Sequence, residues 1–368
     1  MSTTHVAKLA ALAASLVFAV ACGEPRGRLG DGRPPETVSL TGRVLTDTLA
    51  LGDPTAILPW RDLIFVLDSK GDSAVLGFDT LGNLVAAAGR RGNGPGEFAW
   101  PKDLFRDASD PDLAWVFDSR LNRLTPVRLP ALAGGEGKNA FGDPIVLSDL
   151  LAVYPPVWLD DSTLVAEGGM LTPDRKRFAL VDPAGKLVRT VGDHLPGNTN
   201  EPPFVRQQVF GGSMAAHPRR PMFVLAGRYA PLLEVFDREG ARVLAMEVPV
   251  TFEPDVSVAP DGLNFVRGRD SGYAYLDVDA TADRVYALFS GRSSQEYRKT
   301  MHLGEYVHVF DWTGRLIAIL RLDAEAFSLA VDESESRLYV GRVDPYPQIA
   351  AYDLRSIRSI LALGERSP

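Results

Sequence analysis

For most of its length the chain alternates between short apolar runs and polar turns, without sustained helical periodicity. One signature recurs. An apolar strand ends in Asp, a short turn that usually contains Gly follows, and a second apolar strand begins. It occurs at 77–88, 179–191, 234–246 and 308–320, and more loosely at 121–129 and 350–363. The Asp side chain can accept hydrogen bonds from turn N–H groups, and the Gly supplies a residue at positive φ. Upstream of each hairpin lies another apolar strand, at 63–67, 113–117, 163–166, 221–225, 284–289 and 337–340. Before it sits one more short strand ending at a polar turn, as at 60–62, 160–162, 279–283 and 332–336.

The pattern predicts about four strands per unit and about six units, which is the repeat of propeller blades. One unit is stretched by an insertion at 290–303. A single blade cannot bury both faces of its sheet, whereas a ring of blades can. Residues 43–49 read as an extra strand that would close the ring beside 357–363. Little helix is expected after the N-terminal segment.

The best-formed unit spans 89–129. Gly89, Gly92, Gly94, Gly96, Phe98 and Pro101, followed by Asp118, Asn122 and Arg123, resemble the NHL repeat of six-bladed β-propellers. At 66–76 the match is partial: Asp68 and Ser69 fit, but the Asn-x-Arg element is missing. Elsewhere the repeat is degenerate. The resemblance implies an all-β fold, a six-bladed β-propeller of the NHL/TolB-like kind, with four-stranded antiparallel blades around a central channel. It implies no single activity, because such propellers include scaffolds and enzymes.

Residues 1–21 have a weakly basic start and an apolar run from Leu9, as in the hydrophobic region of a secretory signal peptide. The end, Ala19-Val20-Ala21-Cys22-Gly23, resembles a bacterial lipobox, which implies lipidation of Cys22; Ala19 departs from the Leu usual there. Residues 22–42 read as lipid-anchor cysteine and flexible tether, and 43–368 as the propeller. The expected location is the cell envelope, with the membrane reached through the lipid anchor only.

Composition narrows the chemistry. A net charge of −8 argues against a nucleic-acid partner. Cys22 is the one cysteine, so no intrachain disulfide and no Cys-based zinc site can form. Thirty-four Gly and 27 Pro fit a turn-rich chain. The run 92–96 superficially resembles a phosphate loop, but a strand rather than a helix should follow it. It is expected to be an inter-blade loop, with Phe98 as a plug between blades. Asp118, Asn122 and Arg123 are expected to brace a turn and the neighbouring blade. Asp277, Asp279 and Asp283 lack the glycine and terminal Glu of a calcium loop and are expected in a solvated turn. The five His form no close pair, and no Gly-x-Ser-x-Gly elbow is present. No catalytic residue, metal ligand or cofactor is therefore assigned.

The remaining candidates lie on the loop face: Arg90, Trp100, Lys102, Tyr154, Arg206, Arg228, Tyr229, Arg267, Tyr273 and Tyr346, with Arg91 and Arg269 nearby in sequence. Arg and Tyr are favoured at recognition sites, and Arg forks suit carboxylate or phosphate. The expectation is a binding module that presents this face to a protein, peptide or glycan. The alternative resembles the metal-dependent lactonases and lyases built on six-bladed propellers. It would need Asp, Glu, Asn or His side chains to converge at the channel mouth.

Overall fold

The computed structural model describes residues 36–46, 50–150, 154–167, 176–194, 202–255, 257–262, 265, 266, 268 and 271–362. The expected signal peptide and Cys22 lie outside the described residues.

The chain opens with β1 (Glu36–Leu40) and β2 (Arg43–Val44). Four four-stranded antiparallel blades then follow in order. The first is β3 (Pro54–Trp60), β4 (Leu63–Asp68), β5 (Val75–Asp79) and β6 (Leu84–Ala88). A loop carrying the short parallel pair β7 (Arg90–Arg91) and β8 (Glu97–Phe98) leads into the second. That blade holds β9 (Pro101–Arg106), β10 (Leu113–Asp118), β11 (Arg123–Arg128) and, after helix α1 (Leu129–Ala133), β12 (Ile145–Val146). The third holds β13 (Val157–Trp158), β14 (Leu164–Glu167), β15 (Lys176–Val181) and β16 (Leu187–His194). Helix α2 (Pro203–Phe210) separates it from the fourth, β17 (Gly212–Ala216), β18 (Met222–Gly227), β19 (Leu233–Asp237) and β20 (Arg242–Ala245).

The last two blades run together as one eight-stranded sheet. They comprise β21 (Tyr275–Ala280), β22 (Arg284–Phe289), β23 (Gly304–Asp311), β24 (Leu316–Val331), β25 (Arg337–Arg342) and β26 (Gln348–Asp353). The first half of β24 pairs with β23 as the outer strand of the fifth blade. Its second half pairs with β25 as the inner strand of the sixth.

The recurring hairpin forms as its residue types dictate. Gly82, Gly185, Gly240 and Gly314 take φ of 96°, 81°, 70° and 90°. The Asp three residues before each accepts turn N–H groups: Asp79 from Leu81 and Asn83, Asp182 from Ala184 and Lys186, Asp237 from Glu239 and Ala241, Asp311 from Thr313 and Arg315. Two looser copies differ. Residues 123–128 form the third strand of their blade, which continues into α1 instead of turning back at once. After β26 the chain winds into helix α3 (Arg358–Leu361) rather than a strand. The helices α1, α2 and α3 exceed the expected helix content.

Apolar side chains interlock between successive blades, and that is where the core sits. One cluster joins the first and second blades through Phe65, Phe98, Val116 and Val127. Others follow around the ring, and a last cluster of Leu45, Ile57, Val66, Phe78, Ala330, Tyr339 and Ile349 joins the sixth blade to the first. Phe98 is the expected plug, 1% exposed and edge-on to Phe141 at 5.6 Å.

Closure uses a different partner from the expected one. Arg43 and Val44 pair antiparallel with Ala351 and Ala350, because 357–361 is helical. Leu45 N donates to Ile349 O at 2.8 Å, and Ile349 N donates to Thr46 Oγ1 at 2.9 Å. Glu36–Leu40, expected within the tether, instead pairs parallel with 318–322 of β24. Gly42 makes the turn between these strands. A Cβ there would lie 2.6 Å from the Arg342 guanidinium and 2.7 Å from the Tyr352 ring.

Candidate functional site

The inner strands β3, β9, β13, β17, β21 and the second half of β24 surround the channel. All of them start at the same end. At that end a cleft of about 770 Å³ opens, lined by the first residues of the inner strands and by the loops above them. A second cleft of about 320 Å³ opens at the other end, and the two meet at Asp103, Pro155, Ser213 and Asp277.

The polar groups of the smaller cleft are largely spent on the fold. Arg106 Nη2 donates to Pro59 O at 2.9 Å. Asp107 caps its own turn and accepts from Trp115 Nε1 at 2.8 Å. His217 Nδ1 accepts from the backbone N–H groups of Arg219 and Arg220, and its other ring nitrogen meets Arg220 Nε at 2.7 Å. Burial, followed by Arg220, lowers His217 to about 4, so it stays neutral.

The larger cleft differs. Lys102 enters it from the second residue of β9 and Arg228 from the loop after β18. Desolvation lowers the Lys102 ammonium from its ordinary value. Arg228 and Lys70 lower it further, and Asp53 opposes them. The Arg228 guanidinium sits 5.7 Å from the Tyr154 ring centre and donates from Nη2 to Leu276 O at 3.1 Å. Its Nε is buried without a hydrogen-bond partner. Tyr154 donates to Gln208 O at 3.2 Å, and burial raises its hydroxyl well above the usual value. Tyr229 donates to the Tyr273 hydroxyl at 3.1 Å, with ring centres 4.7 Å apart, and Phe265 packs 5.0 Å from Tyr229.

Lys102, Tyr154, Arg228, Tyr229 and Tyr273 thus come together, as the loop-face grouping anticipated. Trp100 stands beside them, half exposed, with Lys102 Nζ 4.9 Å from its ring centre. Tyr346 lies between the lining residues Val343 and Pro347, with its side chain 43% exposed. Arg206 is buried within α2 and does not line the cleft, although Gln208 of the same helix does. Arg90 and Arg91 stay away on the glycine loop, where Arg90 pairs with Glu97 at 2.6 Å. Arg267 and Arg269 lie outside the described residues.

That glycine loop has no room for a phosphate. The Glu97 carboxylate accepts from the N–H groups of Asn93 and Gly94 at 3.1 and 3.0 Å, and fills the place an anion would take. Arg123 donates to the carbonyls of Asn93, Gly94 and Glu97, and Asn122 Nδ2 to those of Leu147 and Leu150. Both side chains brace, as expected.

Asp277 and Asp279 require a correction. They face the channel from β21 and do not lie in a solvated turn; Asp283 alone does. Asp277 accepts from Val278 N and from Leu329 N of the next blade, each at 2.9 Å. Asp279 does the same with Ala280 N and Val331 N, each at 2.8 Å. Their oxygens stitch two inner strands together. Among the described residues no group of three or more His, Cys, Asp or Glu is placed to hold a metal ion. The convergence required by the metal-enzyme alternative is not formed by these carboxylates.

Three floor residues were missed: Asp103, Asp277 and Ser328. Burial pushes Asp103 up to about 7. Burial and the neighbouring Asp103 push Asp277 up to about 8. Asp277 is therefore largely neutral at pH 7 and Asp103 becomes so below it, so each can donate from a carboxyl O–H. Ser328 is 2% exposed, and its Oγ has no hydrogen-bond partner. For Asp103 and Asp277 strand alternation was the available signal, since each sits near the start of an inner strand; Ser328, within the unbroken β24, had none.

Blades ringed around an open channel, with a polar cleft at the end where inner strands begin, define a β-propeller. The chain belongs to the TolB-like 6-blade propeller-like family, whose profile matches residues 35–334. Two solved structures share the fold. A DUF4221 family member from Bacteroides vulgatus is 10% identical, with a TM-score of 0.55, covering 90% of this chain and 98% of its own. A protein described as exported, from Bacteroides fragilis, is 12% identical, with a TM-score of 0.53, covering 86% and 98%. No curated protein matches the sequence.

Proposed function

We propose that this protein is an extracytoplasmic binding module, anchored by a lipid on Cys22, that takes an anion-bearing ligand in the larger cleft. One observation carries the reading. Lys102 and Arg228 enter the same cleft against a wall of Tyr154, Tyr229 and Tyr273, where burial depresses the Lys102 ammonium and Arg228 adds to that against the pull of Asp53. An anion between two like charges relieves their repulsion and benefits from the partial desolvation of both.

The site supports binding rather than turnover. Asp277 and Asp279 are tied into backbone bonds between strands, whereas Lys102 and Arg228 line the opening. The N-terminal pattern and the likeness to a protein described as exported support the envelope location.

The test is an NMR titration with citrate and with inorganic phosphate. Side-chain and backbone resonances around Lys102, Tyr154 and Tyr273 should shift, and the shifts should vanish in Lys102→Glu and Arg228→Glu. Undisturbed resonances at those residues would sink the reading. For the anchor, cells fed radioactive palmitate should label the wild type but not Cys22→Ala.

A further inference from the structure

We infer that the ligand of the larger cleft is a sugar acid: a pyranose ring bearing a carboxylate, free or as a unit of an acidic glycan. The inference rests on the anion reading above and adds the chemistry of the floor and rim.

The floor is unlike a plain anion site. Below Lys102 and Arg228 lie Asp103, Asp277 and Ser328, from the inner strands of three different blades. A bare carboxylate or phosphate, which only accepts, would not match both the donors and the acceptors of such a floor. A ring hydroxyl would, because it both donates and accepts, and a carboxyl–hydroxyl floor offers both roles. Ser328 Oγ strengthens the case. It is buried, lines the cleft and has no partner in the protein, so it awaits a hydrogen-bonding group from outside. Asp103 spends one oxygen on Leu104 N at 2.8 Å.

The rim fits the same ligand. Trp100 beside Lys102 and Tyr346 beside Pro347 expose 50% and 43% of their surface, and offer aromatic faces to the C–H face of a sugar ring. The volume, about 770 Å³, is that of a small-molecule cleft, for which ~300–1,000 Å³ is usual. An acidic peptide is the competing ligand. An extended peptide binds by adding to a free strand edge. On the sixth blade's inner strand the N–H groups of Leu329 and Val331 are already taken by Asp277 and Asp279.

The experiment is isothermal titration of the full mature protein at pH 7 with four probes: galacturonate, trigalacturonate, neutral maltotriose and poly-L-glutamate. Binding of either uronate, with none by maltotriose, is expected. Galacturonate alone would point to a free sugar acid, and preference for trigalacturonate to a glycan chain. Lys102→Met should weaken the uronate at least tenfold. Ser328→Ala should weaken it several-fold while the melting temperature holds, which separates lost contact from lost fold. Binding of poly-L-glutamate but of neither uronate, in a Lys102-dependent way, overturns the sugar class and leaves the anion cleft standing. Uronate binding unchanged in both variants, or none at all, overturns the inference. The citrate and phosphate titration then decides separately whether the anion cleft survives.

Discussion

Asp118 in the second blade and Glu167 in the third occupy the same place, the last residue of the second strand, yet they live in opposite circumstances. Asp118 is saturated: it accepts from Ala99 N at 2.6 Å, Trp100 N at 3.1 Å, and Arg120 N and Leu121 N at 3.0 Å each. Asp68 in the first blade repeats this with Gly52, Asp53, Lys70 and Gly71. Glu167 accepts Gly212 N at 2.9 Å on one oxygen, and the other is buried with no hydrogen-bond partner. Burial pushes it up to about 8, against smaller opposing pulls from Gly212 N–H and Arg177. One repeat position therefore holds a fully used backbone clamp in two blades and a neutral acid in the next. The extra methylene carries the Glu carboxyl past its own loop to the next blade, against α2 and the wall of the cleft. Around the ring the position drifts further, to Gly227, Phe289 and Arg342, the last paired with Asp323 and the Tyr352 hydroxyl.

The sharpest way to break this comparison is to put an amide in place of each carboxyl. Asp118→Asn aims an NH₂ at N–H groups that need acceptors, so it should cost about 3 kcal/mol in urea unfolding. Asp68→Asn, at a second buried copy of the clamp, should cost about 2 kcal/mol. Glu167→Gln should act with the opposite sign. The folded carboxyl holds a proton, at about 8, that the unfolded chain releases near 4.5. The folded state therefore binds the extra proton, and wild-type stability falls as pH rises from about 4.5 to 8. The Gln variant escapes that loss and should gain on wild type by up to about 4 kcal/mol by pH 8, read from unfolding curves across pH. A loss in Glu167→Gln equal to that in Asp118→Asn would show that the two positions do the same work. The smallest effect is expected at the channel. Asp103→Asn keeps the bond from Leu104 N and should gain on wild type as pH rises from about 4 to 7, by less than Glu167→Gln because its side chain meets the watered cleft.

The same contrast explains what was legible beforehand. The Asp-turn-Gly hairpins could be read because each closes within a few residues, and the Asp118, Asn122 and Arg123 brace, whose bonds reach as far as 30 residues away, through its likeness to the NHL repeat. Lys102, Tyr154, Arg228, Tyr229 and Tyr273 could be grouped because a propeller sends all such loops to one end. Asp277 and Asp279 were misread as a turn. On a strand facing a watered channel, polar residues alternate with apolar ones, and in sequence that resembles a loop. Ser328 was hidden inside β24, which serves two blades without the break that would mark an inner strand. The closing strand was anticipated but its partner was not, since Ile357 and Leu361 are buried from a helix as readily as from a strand.

The order of β1 and β2 has a mechanical side. Any pull on the chain ahead of Glu36 arrives first at β1, whose five residue pairs with β24 lie along the direction of the load. Parallel pairs loaded end to end must slide together, whereas a strand peeled from one end parts one bond at a time. Beyond β1, Gly42 N is held by Asp323 at 3.2 Å, and only then comes the two-residue strand that latches the ring. The short latch sits behind a longer shear joint, so a protein tugged by its leading end would slip at β1 before the ring came open.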